Sequence, residues 1–143
     1  MAVENAVIDK IDKEILQILR DDARIPWQIL GDRIGLSANA AADRVRRLMR
    51  RGVITRFTTV IDQRVLGRSL SAIIDARITT TPKFDAALRR RSDVVWAAHV
   101  TGVPDVKILV ACEGTEGLDE FLQWLHKEGA TDTRTDVVLR HIL

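Results

Sequence analysis

The chain has 143 residues and a formal net charge of +2, a length that suits one ordinary domain or two small ones. Its apolar and charged contents, 46% and 29%, are those of a globular protein, and no apolar run approaches the ~20 residues of a membrane span. The opening MAVENAVIDKIDK lacks the basic start and long apolar core of a secretory signal, and Cys112 stands alone, so a reducing, cytoplasmic setting without disulfides is expected.

In chain order, Ile8, Ile11, Ile15, Leu16, Ile18 and Leu19 recur at helical spacing, with Asp9 or Asp12 placed to offset the dipole at the helix start. Asp21-Asp22-Ala23-Arg24 interrupts the pattern. Pro26 can open a second helix, Trp27 to Ile34, because its missing N–H is not needed in a first turn. Gly35 can close that helix in a left-handed conformation, and Ser37 can cap the next. The third helix runs from about Ala38 to Arg51, with Ala41, Val45, Leu48 and Met49 as its inner stripe. Helix, helix, glycine-containing turn, helix is a helix-turn-helix order. Val53 to Ile61 alternates with β-branched residues, as a small wing hairpin or an outward strand would. Asp62 to Arg68 reads as a linker.

The second half changes character. Strands are predicted at Leu70–Thr79, Val94–Thr101, Val106–Cys112 and Thr133–Ile142. Helices are predicted at Lys83–Arg91, after a break at Pro82, and at Leu118–His126, after a break at Gly114–Gly117. Strand, helix, strand, strand, helix, strand is the split βαβ, ferredoxin-like order. The fold class is therefore α+β: a winged helix-turn-helix over residues 1–61, a linker over 62–68 and a ferredoxin-like βαββαβ module over 69–143.

Charge is distributed unevenly between these halves. Residues 1–68 hold 13 Lys or Arg against 9 Asp or Glu, and residues 69–143 hold 9 against 11. The basic excess concentrates between Ser37 and Arg56, a pattern associated with nucleic-acid binding by one half. With Ala41, Val45 and Leu48 turned inward, Asn39, Ala40, Asp43, Arg44 and Arg47 are expected on or near the opposite face. Asn pairs bidentately with adenine and Arg with guanine. The other arginines, Arg51 among them, can reach phosphates, and so can Ser37 with the exposed amides of the helix start. A solvated basic helix, its arginines paired to acids elsewhere, is the plain alternative.

The segments IDKIDKEILQILRDDARIP, GLSANAAADRVRRLMRRGVI, VTGVPDVKILV and TDTRTDVVL, in this order and spacing, resemble the Lrp/AsnC (feast/famine) family of bacterial and archaeal transcription regulators over nearly the whole chain. The resemblance implies DNA binding through the first domain and homodimers formed by pairing the sheets of the second, often assembled into tetramers or octamers. It also implies an amino acid or related small metabolite bound at the interface between dimers. Carried over, the ligand-binding positions are Gly102, Val103, Pro104 and Asp105 with Thr133 and Thr135. Their chemistry fits: Gly102 permits close backbone approach, nearby amides can hold a carboxylate, and Asp105 can pair with an α-ammonium group. Thr133 and Thr135 alternate onto one face of a strand. An ordinary β-turn and two strand-forming threonines are the plain reading of the same residues. The chain departs from many relatives at Ala38, where proline is common after the capping serine, and at Pro104, where an aromatic is common.

No catalytic constellation, metal-ligand spacing or phosphate-binding loop is visible among His99, His126, His141 and Cys112, so no enzyme activity, cofactor or metal is expected. Trp27 and Trp124 are expected in cores, Cys112 as inert packing, and Arg89-Arg90-Arg91 as a solvated helix end. The reading is a sequence-specific DNA-binding regulator responsive to an amino acid. Its rivals are an architectural DNA-wrapping protein, suggested by the alanine-rich helix start, and a metabolite-binding module without a DNA role.

Overall fold

The computed structural model describes residues 8–140 except Thr80. The chain divides into two compact units, Met1–Val60 and Ile61–Leu143.

The first unit holds three helices, α1 (Lys10–Asp21), α2 (Trp27–Ile34) and α3 (Ala38–Arg50). Asp9 caps α1, its side chain accepting from the Asp12 N–H at 2.7 Å. Gly35 ends α2 in the left-handed region at φ 69°, where a side chain would be strained. Ser37 then caps α3, its Oγ accepting from the Ala40 N–H at 3.2 Å. Between α2 and α3 the backbone approaches so closely that a Cβ on Gly31 would lie 2.5 Å from the Leu36 carbonyl oxygen. The core joins Ile15 and Leu19 of α1, Leu30 and Ile34 of α2, and Ala41, Val45 and Leu48 of α3. Met49, expected in the inner stripe, is 45% exposed, because the stripe follows Ala41, Ala42, Val45 and Leu48 and leaves it on the flank. Trp27 is 42% exposed rather than core. It occupies the first position of α2, at the open end of the stripe.

No helix or strand forms over residues 55–62. The expected strand character there ends with Val53 and Ile54, which pack on the first core and donate their N–H groups to the Leu48 carbonyl. A strand needs a neighbour to satisfy its backbone, and the described residues of this unit supply none. In the second unit, the stretch expected as a linker contains a 3-10 turn, Gln63–Leu66, capped by Asp62. Arg68 just after it donates to the Ser92 carbonyl and hydroxyl oxygens.

The second unit is a four-stranded antiparallel sheet with two helices on one face. Its elements are β1 (Leu70–Ile78), α4 (Thr81–Leu88), β2 (Val94–His99), β3 (Val106–Cys112), α5 (Thr115–Lys127) and β4 (Ala130–Val138). The order across the sheet is β2-β3-β1-β4, the arrangement of a ferredoxin-like module. Helix α4 starts earlier than expected, with Pro82 in its first turn, where a missing N–H costs nothing. Helix α5 also starts early and includes Gly117, whose added Cβ would stand only 3.5 Å from that of Cys112. The core fills the helix-facing side: Ala72, Ile74 and Ala76 of β1, Ile108 and Val110 of β3, Phe84 of α4, and Phe121 and Leu125 of α5. Trp124 packs partly buried against this core. Arg91 is not a solvated end: it pairs with Asp93 and lies 5.0 and 4.7 Å from the Phe121 and Trp124 ring centroids.

Among the described residues of this unit, none forms a helix on the opposite face of the sheet. Register places Trp96, Leu109, Ile73 and Asp136 in one row across it, and Ala98, Lys107, Asp75 and Arg134 in the next. Trp96 is 51% and Ile73 40% exposed. Lys107 Nζ donates to Asp75 Oδ1 at 2.7 Å beside them.

Candidate nucleic-acid interface and effector site

The buried stripe of α3 fixes what its other side presents. Asn39, Asp43, Arg46 and Arg50 follow one another at steps of four, three and four residues and are all exposed, so they form one outward stripe. Asp43 accepts from Arg46 Nη1 at 2.6 Å, an exposed pair of the kind that contributes at most about 1 kcal/mol. Arg50 has no ion-pair partner among the described residues. Ala40 lies half-buried near the helix start, and Arg51 closes the helix, its N–H donating to the Arg47 carbonyl.

Arg44 is placed differently from the sequence expectation. It turns from the outward stripe to α1, its side chain 23% exposed. Its Nη1 donates to Asp9 Oδ2 at 2.6 Å and to Asp12 Oδ1 at 2.8 Å. Arg47, 44% exposed, makes longer bonds from Nη2 to the two Asp12 oxygens, 3.3 and 3.4 Å. The Arg44 guanidinium holds the Asp9 carboxyl below its ordinary range, with the Asp12 N–H adding to the effect. Asp9, and then Asp12, raises the Arg44 pKa in return. Asp12 itself is 1% exposed, the one buried charged residue among those described. Local pattern reading missed this partnership. The available signal was the spacing of Asp9 and Asp12, three apart and therefore on one side of α1.

In the second unit, Gly102 takes φ +94°, and the loop continues through exposed Val103 and half-buried Pro104. Asp105 ties that loop down. Its N–H donates to the Ala76 carbonyl at 3.1 Å, its carbonyl accepts from the Val100 N–H at 3.0 Å, and its Oδ2 accepts from the Ile78 N–H at 3.2 Å. Thr133 and Thr135 are both half-buried. Thr135 pairs with Ile74 and shares its helix-covered face. Thr133 Oγ1 lies 3.3 Å from His126 Nε2. The loop and the threonines flank β1 from opposite sides, since β3 and β4 are its two neighbours, a separation of roughly 10 Å at ordinary strand spacing. Recesses of about 620 and 210 Å³ lie among the described residues of this unit, and neither of these is lined by any of the six expected residues. The smaller lies between α4 and β2, where His99 Nε2 stands 2.8 Å from Asp85 Oδ1. His141 lies outside the described residues. Cys112 is buried, and burial pushes its thiol pKa up. No cluster of metal-ligating side chains occurs among the described residues, and no helix among them is long and apolar enough to cross a membrane.

Comparison with known proteins bears on both units. Residues 8–55 match the family model described as winged helix-turn-helix DNA-binding, and residues 71–143 match the Lrp/AsnC ligand binding domain. The HTH-type transcriptional regulator AldR of Mycobacterium tuberculosis is 31% identical over 98% of this chain and 82% of its own. The HTH-type transcriptional regulator FL11 of Pyrococcus horikoshii is 30% identical over 93% of this chain and 90% of its own. Among solved structures, a feast or famine regulatory protein of M. tuberculosis complexed with L-methionine superposes with a TM-score of 0.87 at 28% identity, covering 94% of each chain.

Proposed function

The chain belongs to the Lrp/AsnC family of transcription regulators, and we propose that residues 1–61 bind duplex DNA through the outward stripe of α3 while residues 69–143 assemble the protein and bind an amino acid. Asn39 and Arg46 are the base-reading candidates, Arg50 and Arg51 reach phosphates, and Ser37 with the α3 amides meets a phosphate at the helix start. The observation that carries this reading is the exposed stripe itself: two arginines and an asparagine on one face, held on a three-helix core that buries the other. Arg44 leaves the set of direct contacts, since both its bonding and its orientation are directed to α1.

The open sheet face supports self-association. A row of Trp96, Leu109 and Ile73 beside the Lys107–Asp75 pair offers a second copy apolar area and a charge that fixes register. A two-fold pair of copies carries two α3 helices, the number that a two-fold duplex site takes. The effector reading places the amino acid at the Gly102–Asp105 loop, with Thr133 and Thr135 supplied across a junction between copies. Support comes from their separation within one chain and from the L-methionine complex of the M. tuberculosis relative. An amino acid shifts assembly or DNA affinity only by binding two states unequally.

Fluorescence anisotropy with a promoter fragment, competed by bulk DNA at fixed salt, tests the DNA reading. The fragment is expected to bind at least 10³-fold more tightly, the lower end for specific recognition. Equal affinity favours the architectural rival. Sedimentation with and without each amino acid tests assembly, and a monomer throughout contradicts it.

A further inference from the structure

We propose that Asp12 is a positioning residue for DNA binding: through Arg44 it sets the rotation and axial register of α3 on α1, so that Asn39, Asp43, Arg46 and Arg50 stay on the outward face. The proposal rests on the DNA-binding reading above.

The geometry is a closed ring. Asp9 caps α1 and accepts from the Asp12 N–H at 2.7 Å. Arg44 Nη1 bonds both carboxylates, at 2.6 and 2.8 Å. Arg47, three residues along α3, reaches the same Asp12 from one turn further on. Two attachment points a turn apart on α3, meeting one carboxylate on α1, specify how α3 is turned and how far it slides. The neighbouring apolar contacts of Ile15, Leu19, Val45 and Leu48 set which side of α3 is buried, and the directional bonds to Asp12 narrow the rotation and the slide that such packing tolerates.

Burial points the same way. A carboxylate 1% exposed has lost its water and is tolerable only when paired and hydrogen-bonded. A well-packed apolar residue in the same place is often as stabilising or more so. What the ion pair adds to the apolar packing is a set of directional bonds between the two helices, at 2.6 and 2.8 Å from one Arg44 nitrogen. The residue so fixed lies on the element whose outward stripe must meet a groove, where a rotation of one position replaces the entire set of presented side chains.

The test uses the full chain with Asp12→Asn, Arg44→Ala, Arg44→Lys and Arg50→Ala. DNA affinity is read against salt at a temperature where circular dichroism shows each variant folded. Asp12→Asn keeps size and one acceptor but removes the charge. It and Arg44→Ala are expected to weaken DNA binding about ten-fold or more, the scale of one lost charge-assisted bond, with the slope of log K against log salt unchanged. Arg44→Lys recovers part of the affinity. Arg50→Ala lowers the slope by about 0.9, the value for one phosphate. If Asp12→Asn does not fold, the two Arg44 variants, made at a partly exposed side chain, decide by the same readings. Wild-type affinity in folded Asp12→Asn and Arg44→Ala overturns the positioning role. A slope reduced by about 0.9 in Arg44→Ala also overturns it, by making Arg44 a phosphate contact. A wild-type protein that ignores duplex DNA defeats the underlying DNA reading instead.

Discussion

Replacing Gly31 by alanine tests how tightly the turn before α3 is built. A Cβ there would lie 2.5 Å from the Leu36 carbonyl oxygen, 3.0 Å from the Ser37 carbonyl carbon and 3.1 Å from the Ala38 nitrogen. All three atoms are backbone, and the turn is already fastened to Gly31 by the Leu36 N–H bond to its carbonyl, 2.9 Å. Relief therefore requires the start of α3 to move by several tenths of an ångström or more. Alanine gains about 1 kcal/mol of helix propensity over glycine. Overpacking costs about 1–3 kcal/mol, and a backbone obstacle falls at the upper end. A net loss of about 1–2 kcal/mol follows, and each kcal/mol lowers the melting temperature of so small a unit by about 4–8 °C. The moved α3 also meets DNA less well, with an expected loss of about ten-fold. Gly35→Ala is the control: its φ of +69° makes alanine strained, by about 1–2 kcal/mol, but nothing lies within 4 Å of the new Cβ. It is expected to melt lower while keeping DNA affinity in the cold. Calorimetry and anisotropy on both variants check this. A Gly31→Ala protein as stable as wild type, binding DNA equally well, refutes the steric reasoning.

Two further outcomes follow from the titrating groups. The Asp9 carboxyl sits below its ordinary value of 3.8 in the folded state, so the unfolded chain binds more protons as pH falls through that range. The stability it contributes is full above about pH 5 and lost as pH drops through the folded value. Denaturant melts of wild type and Asp9→Asn should differ at pH 7 and converge at the acid end, and a difference independent of pH contradicts the pairing with Arg44. Cys112 is 4% exposed with its thiol pKa raised by burial, so a thiol reagent at pH 7 should react only after unfolding. Rapid labelling of the native protein contradicts its packing.

Much of the fold was legible because its signals are local. Gly35 and Ser37 sit where a left-handed closure and a cap are needed, and the alternation of Ala72, Ile74 and Ala76 matches the one covered face of β1. Boundaries were read less well where glycine or proline is tolerated in a first helical turn, as at Pro82 and Gly117. Arg44 was misplaced because helical periodicity identifies a buried stripe but not which flanking residue finds a partner. Its partners lie 35 and 32 residues away, and no local pattern encodes that pairing. At Asp105 the ligand role is what the family resemblance implies, and within one chain its carboxylate accepts from the Ile78 N–H. A site assembled from several copies leaves no adjacency in a single sequence.

The central claim is that the outward stripe of α3 lies against duplex DNA. The salt dependence of operator affinity in an Arg46→Ala/Arg50→Ala double variant measures this most directly. The account predicts a folded protein with weakened binding and a slope smaller by about 0.9 per chain, for the one phosphate contact assigned to Arg50. Wild-type affinity and an unchanged slope in that variant contradict it.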